Sequence, residues 1–224
     1  MFERYAIYYT FEGILDALGA AWLGWDITSG TRVTHPKLGA LDLAATTKRP
    51  RKYGFHATIK APFYLAPSAK ETDLRTAFKT LCATTPAAKV DGLEVQQLGR
   101  LFALTPKGDD TQLKSLAAKT VETLDPLRAP LTAHDLKRRQ KPHLSDTQIE
   151  NLRTWGYPHV MDDFRFHVTL TGPLSPEELP LMQSATQAYF APHLPKPYTI
   201  DHLTLAGARA DGMFRQISRA TLTG

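Results

Sequence analysis

The sequence is poor in the residues that build covalent or metal-bound frameworks. Its 224 residues hold a single cysteine, Cys82, which excludes an intramolecular disulfide and any thiolate-rich zinc or iron–sulfur site. Long apolar stretches are missing too: no run of about 18 uncharged apolar residues occurs, so no membrane-spanning helix and no membrane partner are expected. The first residues, Met1-Phe2-Glu3-Arg4, lack the apolar core of a secretory signal, and a cytoplasmic protein is the expectation. Aromatics are scattered rather than interleaved with basic residues, so no stacking platform for RNA bases can be read.

What is present suffices for a packed core. Apolar residues make up 42% of the chain, enough for one bilobal domain over 1–224. The formal net charge is +5, and the cations gather in Lys48-Arg49-Pro50-Arg51-Lys52 and Lys137-Arg138-Arg139-Gln140-Lys141, which suits an anionic substrate.

The most informative feature is a repeat. Phe55-His56-Ala57-Thr58-Ile59-Lys60-Ala61-Pro62 returns, almost half the chain later, as Phe166-His167-Val168-Thr169-Leu170-Thr171-Gly172-Pro173. Apolar and polar residues alternate in both copies, as they do in a strand with one buried face. The polar face carries His56, Thr58 and Lys60 in the first copy, and Arg165, His167, Thr169 and Thr171 in the second. A duplication folded face to face brings both His-x-Thr pairs into one cleft, with lobes of roughly 1–98 and 99–224.

The flanking pattern repeats as well. Strands are expected at Arg4–Tyr9, Lys89–Leu98, Arg100–Thr105, Tyr198–Ala206 and Met213–Ala220, and helices at Phe11–Trp25, Asp73–Ala83 and Thr111–Leu124. Ser175-Pro176-Glu177-Glu178 opens a further helix with a Ser cap, Pro in the first turn and acids beside it. The segment 126–161 has no counterpart in the first half and holds a helix over Asp146–Trp155. It reads as an insertion that either covers the cleft or pads the surface.

Paired His-x-Thr motifs at these positions resemble the two-histidine (2H) phosphoesterase superfamily, which includes the LigT-type RNA 2',3'-cyclic phosphodiesterases. The strings Arg4-Tyr5-Ala6-Ile7-Tyr8-Tyr9, Tyr53-Gly54-Phe55-His56-Ala57-Thr58-Ile59-Lys60-Ala61-Pro62, Trp155-Gly156-Tyr157-Pro158 and Phe164-Arg165-Phe166-His167-Val168-Thr169-Leu170-Thr171-Gly172 are similar to a branch encoded beside phosphonate-degradation genes. The resemblance implies a pseudo-symmetric α+β fold, with two small, mainly antiparallel sheets around a central cleft and helices outside.

The chemistry follows from the groups. In-line displacement at phosphorus needs a base for the attacking oxygen and an acid for the leaving oxygen. Imidazole titrates near neutrality, so His56 and His167 supply both without metal or cofactor. Thr58 and Thr169 can donate to the non-bridging oxygens. Lys60, Arg165, Thr171 and Tyr8 are the candidate substrate contacts. The expected partner is a small phosphorylated sugar or nucleotide cyclic phosphate, with an RNA end as a second candidate. Two other classes fit less well: a nucleic-acid-binding module without catalysis, and a metallohydrolase, for which two His leave an incomplete ligand shell.

Overall fold

The computed structural model describes residues 2–224. Strand β1 (Arg4–Thr10) leads into helix α1 (Gly13–Leu23), a short hairpin of β2 (Trp25–Asp26) and β3 (Thr31–Arg32), and the single-turn helices α2 (Leu43–Thr46) and α3 (Lys48–Arg51). The first motif strand β4 (His56–Phe63), α4 (Glu71–Ala83), β5 (Ala88–Val90) and β6 (Gly92–Leu98) follow. Then come β7 (Leu101–Lys107), α5 (Thr111–Leu124), α6 (Ala133–Arg139), α7 (Asp146–Trp155), β8 (Val168–Thr169), α8 (Glu178–Phe190), β9 (Tyr198–Ile200), β10 (His202–Ala208) and β11 (Phe214–Thr221).

The fold is α+β, as expected, and its strands are antiparallel. The sheets of the two halves are joined edge to edge into one seven-stranded sheet in the order β11-β10-β1-β4-β8-β7-β6, beside two two-stranded pairs. The join is narrow: β4 and β8 share one register pair, Ala57↔Val168. Strand order also crosses the sequence midpoint, since β6 pairs with β7 while β10 and β11 lie beside β1.

One face of the sheet is covered by α1, α4, α5 and α8. Their apolar stripes, including Trp22, Phe78, Leu116 and Phe190, pack on Tyr5, Ile7, Tyr9, Ala57, Val168, Phe102 and Leu205 in one continuous core. Each fully buried Leu or Phe of this kind contributes about 1.5–3 kcal/mol. Trp22 also donates its indole N–H to Leu170 O at 2.9 Å, which ties α1 to the second motif. The opposite face is left to a small cluster around Tyr8, Trp25 and Phe214 and to the cleft.

Two expected elements differ. The second motif forms a ladder only at Val168–Thr169 rather than along Phe164–Leu170. Phe164 and Phe166 still anchor in the core, but beyond Ala57↔Val168 no strand runs alongside them. The Lys89–Leu98 strand is broken at Asp91, where Gly92 turns the chain at φ 153°. By contrast α7 matches its expected bounds. Ser145 accepts from Gln148 N, Gln148 reaches back to the Ser145 N–H, and Gly156 closes the far end in the left-handed region. No helix among the described residues is long and apolar enough to cross a membrane.

Candidate active site

The single join between the halves fixes the site. Ala57 and Val168 are fully buried and face the helices, so their neighbours in sequence face the other way. Antiparallel pairing at Ala57↔Val168 puts His56 opposite Thr169 and Thr58 opposite His167. The two histidines therefore lie on the diagonal of a four-residue square, at a spacing of about 7–8 Å for such diagonal pairs. That leaves room for a phosphoryl group between two imidazoles.

Both rings are held in the same way. His56 Nδ1 donates to Gly54 O at 2.9 Å, and His167 Nδ1 donates to Arg165 O at 2.8 Å, each carbonyl two residues back. A proton fixed on Nδ1 leaves Nε2 as the nitrogen able to accept a proton or a hydrogen bond. In His56 that nitrogen already accepts from the Thr58 hydroxyl at 3.0 Å. The environments differ, however. His56 is half-buried and packed against Tyr8, with ring centroids 3.8 Å apart and ring planes inclined at 34°, whereas His167 is exposed. Burial, reinforced by the neighbouring His167, pushes the His56 imidazole down to about 4, so it is neutral at pH 7.

Gly54 sets this geometry. Its φ of 76° is a conformation that L side chains avoid, and a Cβ there would stand 2.6 Å from Ile27 Cβ. Gly54→Ala is expected to cost about 1–2 kcal/mol from the backbone conformation alone. Because its carbonyl orients His56, any activity should fall as well. Urea unfolding and turnover measured together check both effects.

The cleft in front of His56 has a volume of about 660 Å³ and is walled by Tyr8, Thr58, Thr169, Thr171 and residues from three separate segments. Five cationic side chains line it, Arg4, Arg49, Arg138, Arg139 and Lys141, and no Asp or Glu is among the lining residues described. Both basic clusters seen in the sequence thus send residues into one cavity. Not all of their members take part: Arg51 is spent on the backbone, donating to Leu23 O at 2.7 Å and Ala44 O at 2.6 Å. Segment 126–161 contributes Arg138–Arg139, Lys141, His143–Leu144 and Tyr157–His159 to the lining of the cleft.

Two expected contacts, Lys60 and Arg165, are corrected. Lys60 does not face the cleft. The β1–β4 register runs Tyr8↔Thr58 and then Ile7↔Lys60, so an extra residue enters β4 and turns Lys60 to the helix side. There its ammonium meets Asp125 Oδ1 at 3.1 Å and Val121 O at 3.2 Å, beside a separate cavity of about 360 Å³. Arg165 is exposed and outside the lining; only its carbonyl serves the site, through His167. Thr171 lines the cleft but is fully buried, and its hydroxyl oxygen accepts from Phe102 N at 3.1 Å. Tyr8 does line the cavity, fully buried. Arg49, Tyr53, His143, Tyr157 and His159 were not singled out by alternation, since they lie in loops and short helices. A basic cluster pointed to Arg49, and the strings opening at Tyr53 and Trp155 held Tyr53 and Tyr157, while nothing in the sequence pointed to His143 or His159.

Residues 58–215 match a family model described as Protein of unknown function (DUF1045). The chain belongs to the DUF1045 family. It is 34% identical over 212 residues to the ribose 1,5-bisphosphate phosphokinase PhnN of Janthinobacterium sp. (strain Marseille), a match covering 91% of this chain and 47% of that protein. To the PhnN of Laribacter hongkongensis (strain HLHK9) it is 32% identical over 180 residues, 80% of this chain and 42% of that one. This DUF1045 chain thus spans about half the length of the curated relatives it matches. Among solved structures it aligns with E. coli LigT complexed with NADP+ at 13% identity and TM-score 0.47, covering all of both chains. TT0787 of Thermus thermophilus aligns at 13% identity and TM-score 0.45, over 99% of this chain and 98% of that one.

Proposed function

We propose that this DUF1045 chain hydrolyses a five-membered cyclic phosphodiester carried on a phosphorylated ribose, without a metal. The observation that carries the reading is the crossing of two His-x-Thr motifs at one register pair, where His56, Thr58 and Thr169 line a cleft with five cations and no carboxylate among its described walls, and His167 lies exposed outside that lining. A single phosphodiester carries one negative charge, so such a surplus of cations suits a substrate with a second phosphate.

His56 starts neutral and serves as the base. It takes a proton from water as the water oxygen attacks phosphorus. The bond from phosphorus to the departing ring oxygen breaks, and protonated His167, across the diagonal, gives that oxygen its proton. The net change is addition of water across one P–O bond; solvent then restores the two imidazoles. Thr58 and Thr169 donate to the non-bridging oxygens, Thr58 turning from His56 Nε2 to the substrate. Among the described residues no group of three or more His, Cys, Asp or Glu comes together, and the step assigns no role to a metal.

The names of the relatives support this choice of substrate. These proteins are named for ribose 1,5-bisphosphate, and the five-membered cyclic ester that opens to that compound is the 1,2-cyclic phosphate of ribose 5-phosphate, cleaved at the bond to O2.

The test is turnover of that ester, of nucleoside 2',3'-cyclic phosphates and of an RNA bearing a 2',3'-cyclic end, each with EDTA. The ribosyl ester is expected to be hydrolysed fastest, at a rate unchanged by chelator. Preference for the RNA end would move the substrate class. Absence of turnover with and without added divalent metal would reject catalysis in favour of phosphate binding alone.

A further inference from the structure

The histidine square accounts for one phosphoryl group but leaves a second group of cleft residues unused. Arg4, Tyr8 and Tyr53 surround the buried ring of Phe214: the Arg4 guanidinium lies 5.7 Å from its centroid, and the rings of Tyr8 and Tyr53 lie 5.8 Å and 5.3 Å away. From the insertion, Tyr157 and Arg139 line the same cavity. Tyr8 lies close enough to feel the charge of Tyr53, Arg4 and Tyr157, and Arg139 that of Asp135 and Arg138 first and then of Tyr157 and Arg4.

This group is built to donate. Tyr8 is fully buried, yet its hydroxyl has no hydrogen-bond partner among the described residues. A phenol removed from water without a partner costs about 1–3 kcal/mol, so a ligand that accepts from it recovers that loss. Arg4 forms no ion pair among the described residues. Arg139 is anchored by Gly156 O at 2.7 Å, which fixes its fork against the cavity wall. Two guanidiniums and three phenols with no carboxylate in the lining form a donor set for an oxyanion of more than one charge.

We propose that Arg4, Tyr8, Tyr53, Arg139 and Tyr157 form a phosphomonoester subsite, separate from the histidine pair, that holds the terminal phosphate of the substrate. The inference rests on the reading above for the identity of that substrate, but the subsite itself is a matter of binding. Tyr8 links the two halves of the cleft, because its ring packs against His56 while its hydroxyl belongs to the subsite.

The test is equilibrium binding by calorimetry, in EDTA, with ribose 5-phosphate as probe and ribose as control. Wild type is expected to bind the phosphate and not the free sugar. Arg4→Ala and Tyr8→Phe should each weaken binding about ten- to hundredfold, the value of a hydrogen bond to a charged group. Tyr8→Phe keeps the ring that packs on His56 and Phe214, so lost binding there reports the hydroxyl and not the fold. His167→Ala should leave the affinity within about twofold. Binding that vanishes in His167→Ala and persists in Arg4→Ala would place the phosphate on the histidines and overturn the proposal, as would no binding by wild type. Since no turnover is needed, a protein that binds ribose 5-phosphate through Arg4 and Tyr8 but opens no cyclic ester would sink the catalytic reading and keep the subsite.

Discussion

His56→Ala and His167→Ala are each expected to lower kcat/KM by about 10²- to 10⁴-fold, the worth of one positioned proton-transfer group, or about 3–5 kcal/mol of barrier. The two losses should differ in form. Burial places the His56 imidazole at about 4, so the neutral base is present above that pH and is lost as pH falls through it. Wild-type activity should therefore keep its acid limb near pH 4 in the free enzyme, well below the ordinary histidine value of about 6.5. His56→Ala should abolish that limb in whatever activity remains, and His167→Ala should preserve it. A pH–rate profile of all three proteins checks this. His167 is exposed, so its loss should leave unfolding by urea close to wild type.

Asp125→Ala is expected to destabilise the fold by about 3 kcal/mol, the low end of the range for stranding one member of a buried ion pair. Lys60 is the reason. Its side chain is 3% exposed, and Asp125 is the only carboxylate within reach of its ammonium among the described residues. Burial already pulls the Lys60 amine down to about 8 even with Asp125 beside it. Without that carboxylate the lysine must lose its proton or open the structure. The sign with pH follows: the unfolded chain holds the Lys60 proton to about 10.4, so between pH 8 and that value stability should rise with pH. The Asp125 carboxyl is held below its ordinary value by Arg128 and Lys60, against the upward pull of its own burial. Its contribution is thus present above the ordinary carboxylate range and fades as pH falls. Lys60→Met is the control, because an apolar chain of similar length needs no partner; urea unfolding should find it far less costly than Asp125→Ala.

Lys60 also marks where reading the sequence stops. Alternation from Phe55 to Ile59 gave the right faces because a half-buried strand has a period of two, and the core needs Ala57 and Ile59. One inserted residue reverses every later side chain, and such an insertion leaves no trace in the alternation itself. The β1–β4 ladder slips twice, and Pro62, which has no N–H to offer, sits at the second slip. Helix α7 was legible to the residue because its stops are local: Ser145, Gln148 and Gly156 act within a turn of each end. The contribution of segment 126–161 to the cleft lining was not, since it depends on contacts far apart in sequence. Ala129 N reaches Tyr64 O at 2.8 Å, Ala66 N reaches Leu127 O at 2.9 Å, and Arg128 reaches Thr154 O at 2.9 Å. The meeting of the two motif strands was legible because the repeat pointed to a long-range contact directly. Two copies of one strand pattern, brought together at Ala57↔Val168, state in sequence what single motifs leave open.

The most direct test of the account is a double-variant cycle: kcat/KM for the 1,2-cyclic phosphate of ribose 5-phosphate, in EDTA, for wild type, His56→Ala, His167→Ala and the two combined. If the histidines act in one transition state, each single variant loses nearly all of the catalysis and the double variant is only slightly worse than either. Full multiplication of the two losses, or a single variant that keeps wild-type turnover, would contradict a paired acid and base across the cleft.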